Sequence, residues 1–283
     1  MKVAVLGAGA WGTALGVVLS RNQHHVTIWS RDAAALAVLQ TTRRNERHLP
    51  GVELPADWSY EADLARLVRG QDALIVSVAS VGFRSVASQL AGTDAMLISI
   101  TKGIEFDTGL TMGGVLRQCA PGAPVAVLSG PTFAAEVARG MPTAIVAASD
   151  DDAAGARVQE LFHQPRFRVY RSRDSLGVAG GARPETFAGL SGLGDLMATC
   201  FSRLSRNREF GERAGRGESV ATLTQPGTKL AEGVPTCRAA FRLARRLNIE
   251  TPIIDEVHAL LYEGKEARRA LQDLLSRDSK VED

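Results

Sequence analysis

The sequence predicts an α/β fold: a doubly wound parallel sheet at the N-terminus followed by an all-helical domain. Three observations predict it. Short apolar runs alternate with helical patterns up to about residue 172, a glycine-rich turn directly follows the first run, and no strand pattern recurs after Ser172. Alternating strands and helices are the signature of a parallel sheet covered on both faces.

Residues 3–6 form a short apolar run that stops at Gly7, as a buried parallel strand does. Residues 11–21 read as a helix, with Leu15, Val18 and Leu19 at helical spacing, and residues 25–29 as the second strand. Strand, helix and strand within some thirty residues make a βαβ unit. The alternation continues with helices expected over 62–69, 83–90, 110–119, 132–139 and 151–162. Strands are expected over 73–78, 96–100, 125–128, 143–147 and 167–170. Beyond that point the patterns at 187–200, 206–213, 237–247, 253–263 and 266–275 are helical. The expected domains are therefore 1–172, which binds a nucleotide, and 173–283, which is helical.

Bulk properties exclude some classes. With 33 basic and 31 acidic residues the formal net charge is +2, which favours neither nucleic acid nor an anionic membrane as partner. No apolar stretch suits a signal peptide or a membrane span, so a cytoplasmic protein is expected. Cys119, Cys200 and Cys237 are widely spaced and form no CxxC, so they read as buried free thiols, and no metal site is expected. Only five of the basic residues are lysines, which makes a lysine at a strand end informative.

Gly7-Ala8-Gly9-Ala10-Trp11-Gly12 matches GxGxxG. Its place between a strand and a helix turns a weak pattern into a dinucleotide site of Rossmann-like type: glycines allow a tight turn and close approach of a pyrophosphate to the helix amides. The second strand ends in Trp29-Ser30-Arg31, where a carboxylate would select NADH; Arg31 instead offers a partner for the 2′-phosphate of NADPH, and Asp32 could still turn inward. Lys102 follows the strand at 96–100, at the end where open α/β sheets bind ligands. Ser129-Gly130-Pro131-Thr132 repeats that arrangement. In the helical half, Asp195 and the run Ser205-Arg206-Asn207 carry groups suited to a phosphate and a polar substrate, although their chemistry alone does not single them out.

Five stretches resemble the bacterial NAD(P)-dependent glycerol-3-phosphate dehydrogenase family: GAGAWGTALG, TKGIE, LSGPTFAAEVARGMPTA, PETFAGLSGLGDLMATCFSRLSRNREFG and LAEGVPTC. The resemblance spans nearly the whole chain. It implies NADPH or NADH as cofactor, with Gly7, Gly9, Ala10, Trp11, Gly12, Arg31, Lys102, Ala134, Arg206, Leu230 and Glu232 at the cofactor. It implies dihydroxyacetone phosphate, reduced to sn-glycerol 3-phosphate for phospholipid synthesis, as substrate. Lys102, Gly130, Thr132, Asp195, Ser205, Arg206 and Asn207 would hold that substrate. Ala10 stands where the family usually has Ser, and Leu230 where Val is usual. Oligomeric state is left open, a homodimer being one option.

One departure is large. The family continues its last strand into a GVELGGALKN-like stretch whose lysine is the acid/base, whereas here Leu176-Gly177-Val178-Ala179-Gly180-Gly181-Ala182 runs straight into Arg183-Pro184-Glu185. That lysine has no counterpart, and Arg183 does not give up a proton near neutral pH. The catalytic residue is thus unassigned, with Lys102 a partial stand-in. The expectation is a family enzyme with weakened turnover; the alternative is a dinucleotide-binding member with little or none. A dehydrogenase of the β-hydroxy-acid type is disfavoured by the TKG and SRN stretches.

Overall fold

The computed structural model describes residues 1–175, 186, 188–225, 228 and 231–277. The chain forms two compact units: Met1–Lys102 with Leu110–Ala198, and Gly103–Gly109 with Thr199–Asp283.

The first unit is built on an eight-stranded sheet. In chain order its strands are β1 (Lys2–Leu6), β2 (His25–Trp29), β5 (Ser59–Glu61), β6 (Ala73–Val76), β7 (Met96–Ser99), β8 (Val125–Ser129), β9 (Thr143–Ala148) and β10 (Phe167–Ser172). Their spatial order is β10-β9-β8-β7-β6-β1-β2-β5, and β3 (Arg44–Asn45) pairs with β4 (Leu49–Glu53) in a separate antiparallel hairpin. Strand side chains alternate between faces. Val3, Val5, Ile28, Ile75 and Ile98 enter one core with α1 (Ala10–Arg21) and α7 (Asp152–Phe162). Ala4, Leu6, Leu74, Val76 and Leu97 enter the other with α4 (Phe83–Ala87) and α5 (Met112–Cys119). Burial on both faces explains why these strands read as continuous apolar runs.

The sheet is parallel except at one junction. Strands β8 and β9 are antiparallel, with Val127 opposite Ala148 and Ser129 opposite Val146. The expected helix over 132–139 contracts to α6 (Ala134–Ala138), so the link from Gly130 to Pro142 carries only a five-residue helix. Parallel neighbours need a crossover of about a dozen residues or more, usually with a full helix. Three further elements were not expected. They are α2 (Ala33–Thr42), capped by Asp32, the hairpin β3–β4, and the edge strand β5. The expected helix over 62–69 shrinks to α3 (Leu64–Leu67), capped by Asp63.

Among the described residues no strand follows Ser172. The expected helix over 187–200 is interrupted: Leu190–Gly194 is a wide turn, and α8 (Asp195–Phe201) begins after it. The break is at Gly189, whose backbone is extended; the wide turn is π-helical and runs directly into α8. In the second unit α9 (Arg206–Gly215), α10 (Val220–Leu223), α11 (Gly233–Arg246), α12 (Pro252–Tyr262) and α13 (Ala267–Leu275) follow. No helix among the described residues is long and apolar enough to cross a membrane. All three cysteines are free; Cys119 and Cys237 are partly buried, but Cys200 is exposed rather than buried as expected. Burial and the nearby Asp255 charge push the Cys237 thiol above its ordinary pKa.

Candidate dinucleotide and substrate site

The glycine turn is the best-defined part of the site. Gly7 has φ +122°, a region that favours glycine. A Cβ at Gly12 would lie 2.3 Å from Ser77 Oγ and 2.7 Å from Gly7 O, so only glycine lets α1 start this close to the end of β6. Gly9 differs: a Cβ there would meet nothing within 4 Å, and no side chain caps α1. The first-turn amides of α1 thus face open space of the kind a pyrophosphate fills. The cradle fits a dinucleotide.

Two residues absent from the expected set hold this turn. Ser77 Oγ donates to Gly7 O at 2.8 Å. Buried Asn45 uses Nδ2 to donate to Ala8 O at 2.9 Å and to Thr13 Oγ1 at 2.8 Å. Ser77 is signalled in the sequence by its place just after an apolar strand. Asn45 has no such signal, because it sits in a polar stretch whose hairpin is invisible to periodicity. Ala10 and Trp11 occupy the first turn of α1, and Trp11 packs against the core.

At the end of β2, Ser30 Oγ accepts from Asp32 N at 3.2 Å, and Asp32 Oδ1 accepts from Ala35 N at 2.9 Å. The Asp32 carboxylate is therefore spent on capping α2 and does not turn inward. Arg31 is exposed. Further along the sheet, Lys102 meets Asp195: its Nζ donates to Oδ1 at 2.7 Å and to Oδ2 at 2.6 Å. These residues, expected separately, are brought together. Gly130 lies against β9, where a Cβ would be 3.1 Å from Ile145 Cα. Thr132 lies between β8 and α6, and Ala134 is the first residue of α6, packed against the core.

In the helical unit, Ser205 caps α9, its Oγ accepting from Arg208 N at 3.2 Å. Arg206 and Asn207 open that helix, both exposed. Asn207 Oδ1 accepts from Gly233 N at 3.0 Å, which ties the start of α9 to Glu232, the residue preceding α11. Beside them is an apolar cleft of about 360 Å³ whose walls include Asn207, Phe210, Val234, Val257, Leu260 and Leu261. Leu230 and the stretch from Leu176 to Glu185, Arg183 included, lie outside the described residues.

Residues 2–155 match the family model described as NAD-dependent glycerol-3-phosphate dehydrogenase N-terminus, and residues 169–272 match that of its C-terminus. The glycerol-3-phosphate dehydrogenase (NAD(P)+) of Geobacter sulfurreducens is 39% identical over 330 residues, covering 99% of this chain and 98% of the relative. That of Anaeromyxobacter dehalogenans is 36% identical over 334 residues, covering 100% of each. A crystal structure of glycerol-3-phosphate dehydrogenase (gpsA) from Coxiella burnetii shares the fold with TM-score 0.92 at 30% identity, covering 98% of this chain and 99% of that one. Both sequence alignments exceed the chain's 283 residues: 330 and 334 positions leave at least 47 and 51 to which this chain contributes nothing. Coverage of the relatives runs almost from end to end, so the shortfall is internal.

Proposed function

This chain belongs to the NAD-dependent glycerol-3-phosphate dehydrogenase family of oxidoreductases, and from that premise we propose that it binds NADH or NADPH and dihydroxyacetone phosphate but reduces the ketone slowly. The observation that carries this reading is an internal shortfall of at least 47 positions in a chain whose cofactor and substrate stretches are otherwise present. We infer that the shortfall falls within 176–185, where the family's acid/base lysine would stand.

In this reading Gly7, Gly9, Ala10, Trp11 and Gly12 receive the dinucleotide, with Arg31, Ala134, Leu230 and Glu232 along it. Gly130, Thr132, Asp195, Ser205 and Asn207 hold the substrate, and Lys102 and Arg206 meet both ligands. NAD(P)H, when bound, supplies the hydride for the ketone carbon. The chain's own part is to fix the phosphate, orient the carbonyl and bring a proton to its oxygen. Arg206 suits the first task, since a guanidinium forks onto a phosphate with two hydrogen bonds. Lys102, already ion-paired with Asp195, can donate to the carbonyl oxygen in part. The same reading includes a cytoplasmic location and leaves oligomeric state open, a homodimer being one option.

The test is a fluorescence titration with NADPH beside a rate assay with dihydroxyacetone phosphate. Saturable nucleotide binding is expected, with kcat below that of the Geobacter sulfurreducens relative by roughly 10²–10⁴-fold, the usual contribution of a positioned general acid. Absence of nucleotide binding, or turnover equal to the relative's, overturns the reading. Binding with no measurable turnover selects the non-catalytic alternative.

Cofactor choice gives a second expectation. Asp32 is engaged in capping, so its carboxylate does not face a 2′-phosphate at the end of β2, and Arg31 supplies a cation there. Arg31→Ala should raise the Kd for NADPH by about 5- to 10-fold, in line with about 1–1.4 kcal/mol for one exposed charge-assisted contact. The Kd for NADH should change less than twofold. Equal losses for both nucleotides would remove Arg31 from the 2′-phosphate.

A further inference from the structure

We propose that Asn45 is a positioning residue for the dinucleotide: its side-chain amide fixes the Ala8–Gly9 peptide so that Gly9 N–H is aimed for a pyrophosphate. The inference rests on the reading of the glycine turn as the cofactor cradle, and every residue it uses lies in the sheet unit. Asn45 is placed by a hairpin that is itself fixed. Leu49, Val52 and Leu54 sink into the core, and Leu54 N donates to Arg43 O at 2.8 Å. Asn45 is only 3% exposed. Its Oδ1 accepts from His48 N at 3.3 Å, within the hairpin. Nδ2 is thereby turned outward from the hairpin, to Ala8 O at 2.9 Å and to Thr13 Oγ1 at 2.8 Å. A backbone carbonyl only accepts, so turning the amide over would set two oxygens against each other. One amide thus ties the glycine turn to the body of α1.

Peptide geometry carries the effect to the ligand side. A trans peptide is planar, and its C=O and N–H point in opposite directions. No cis peptide occurs among the described residues. Fixing Ala8 O on Asn45 therefore directs Gly9 N–H away from the hairpin. The preceding peptide is fixed in the same manner: Gly7 O accepts from Ser77 Oγ at 2.8 Å, which directs Ala8 N–H away from Ser77. Gly9 O is occupied as well, accepting from Thr13 N at 3.0 Å. Among the described residues neither Ala8 N nor Gly9 N donates a hydrogen bond. Amides at the start of a helix are ready donors to phosphate oxygens, and here two of them are aimed before any ligand arrives. Asn45 gives its aim through the donor Nδ2 and not through its bulk, which is what distinguishes it from a residue that merely fills space.

The test separates a donor from a packing residue. NADPH affinity is read by fluorescence titration of the full chain, and stability as Tm. Asn45→Ala should raise the Kd for NADPH by about tenfold, the scale of one well-placed hydrogen bond. Asn45→Asp keeps the shape but sets an oxygen on Ala8 O, and should raise Kd at least as much. Thr13→Val removes the other bond of the same amide; its Tm should fall while Kd stays within about twofold of the parent. A second readout is the amide nitrogen resonance of Gly9 in ligand-free protein carrying isotope-labelled glycine, identified by its loss in Gly9→Ala. It should move further in both Asn45 variants than in Thr13→Val. An Asn45→Asp protein that binds NADPH like its parent overturns the proposal. So does a Kd that rises as much in Thr13→Val, or a Gly9 resonance indifferent to Asn45. Should Asn45→Ala fold poorly, Asn45→Asp carries both readouts. A parent chain that fails to bind NADPH counts against the functional reading, and the ligand-free resonance still decides this one.

Discussion

Inserting the segment of about 50 residues that the Geobacter sulfurreducens relative carries, between Gly181 and Pro184, is expected to raise kcat for dihydroxyacetone phosphate by roughly 10²–10⁴-fold. The reason is chemical. Hydride arrival at the ketone carbon leaves negative charge on the oxygen, and a positioned acid lowers the cost of that charge. The parent chain retains Lys102, but its amine is engaged with the Asp195 carboxylate at 2.6 Å. Any residual activity of the parent should vanish in Lys102→Ala, whereas the restored chain should keep a measurable rate in the same background. The measurement is steady-state NADPH consumption in all four proteins. A restored chain no faster than its parent would place the defect elsewhere. The helical unit gives a second reason to expect a gain: Phe201, Ile253 and Leu275 are 75%, 68% and 76% exposed. Added helical chain can bury such surface, at about 25 cal/mol per Å².

Gly9→Val should abolish nucleotide binding and leave the fold intact, because the two glycines of the turn do different work. A valine methyl at position 9 would enter open space, and the backbone there is extended, with φ −73° and ψ 174°, which a β-branched residue adopts readily. The added atoms would fill the space proposed for the pyrophosphate. We expect Kd for NADPH to rise at least about 100-fold, roughly 2.7 kcal/mol, with Tm unchanged. Gly12→Val should do the reverse in part, lowering Tm, since its Cβ alone would already collide with Ser77 Oγ and Gly7 O. Titration and thermal unfolding of both variants separate the two roles. A Gly9→Val protein that binds NADPH like its parent would remove the turn from the cofactor site.

The central strands of the sheet were legible because burial on both faces writes them as apolar runs, Val3–Leu6 and Leu74–Val76 among them, whereas the edge strand β5, short and polar, was not. Direction is not written in such a run, so the reversal at β9 escaped. Helix α2 escaped because it buries little, Leu36 and Leu39 alone, and its alanines carry no periodic signal. The glycine turn was readable from spacing and context. The Lys102–Asp195 pair was not, since 93 positions separate its members and no local pattern links a strand end to a helix start. Asn45 was hidden for the same reason, since its buried bonds exist only once its hairpin folds.

The packing of Ser77 against Gly7 and Gly12 has a consequence for the order in which the molecule assembles. Residues 70 positions apart meet at this contact, and β1 is flanked by β2 from its own βαβ unit and by β6 from much later in the chain. The first βαβ unit can form from local sequence soon after synthesis, at a small loop-closure cost. Its glycine turn then has one wall only. The second arrives when β6 docks, bringing Ser77 to donate to Gly7 O, and the hairpin carrying Asn45 must close as well. Nucleotide competence is therefore a late property of the folding chain, tied to its slow, long-range pairings, and a nascent chain shorter than about 80 residues carries the whole GxGxxG motif without the pocket that makes it a site.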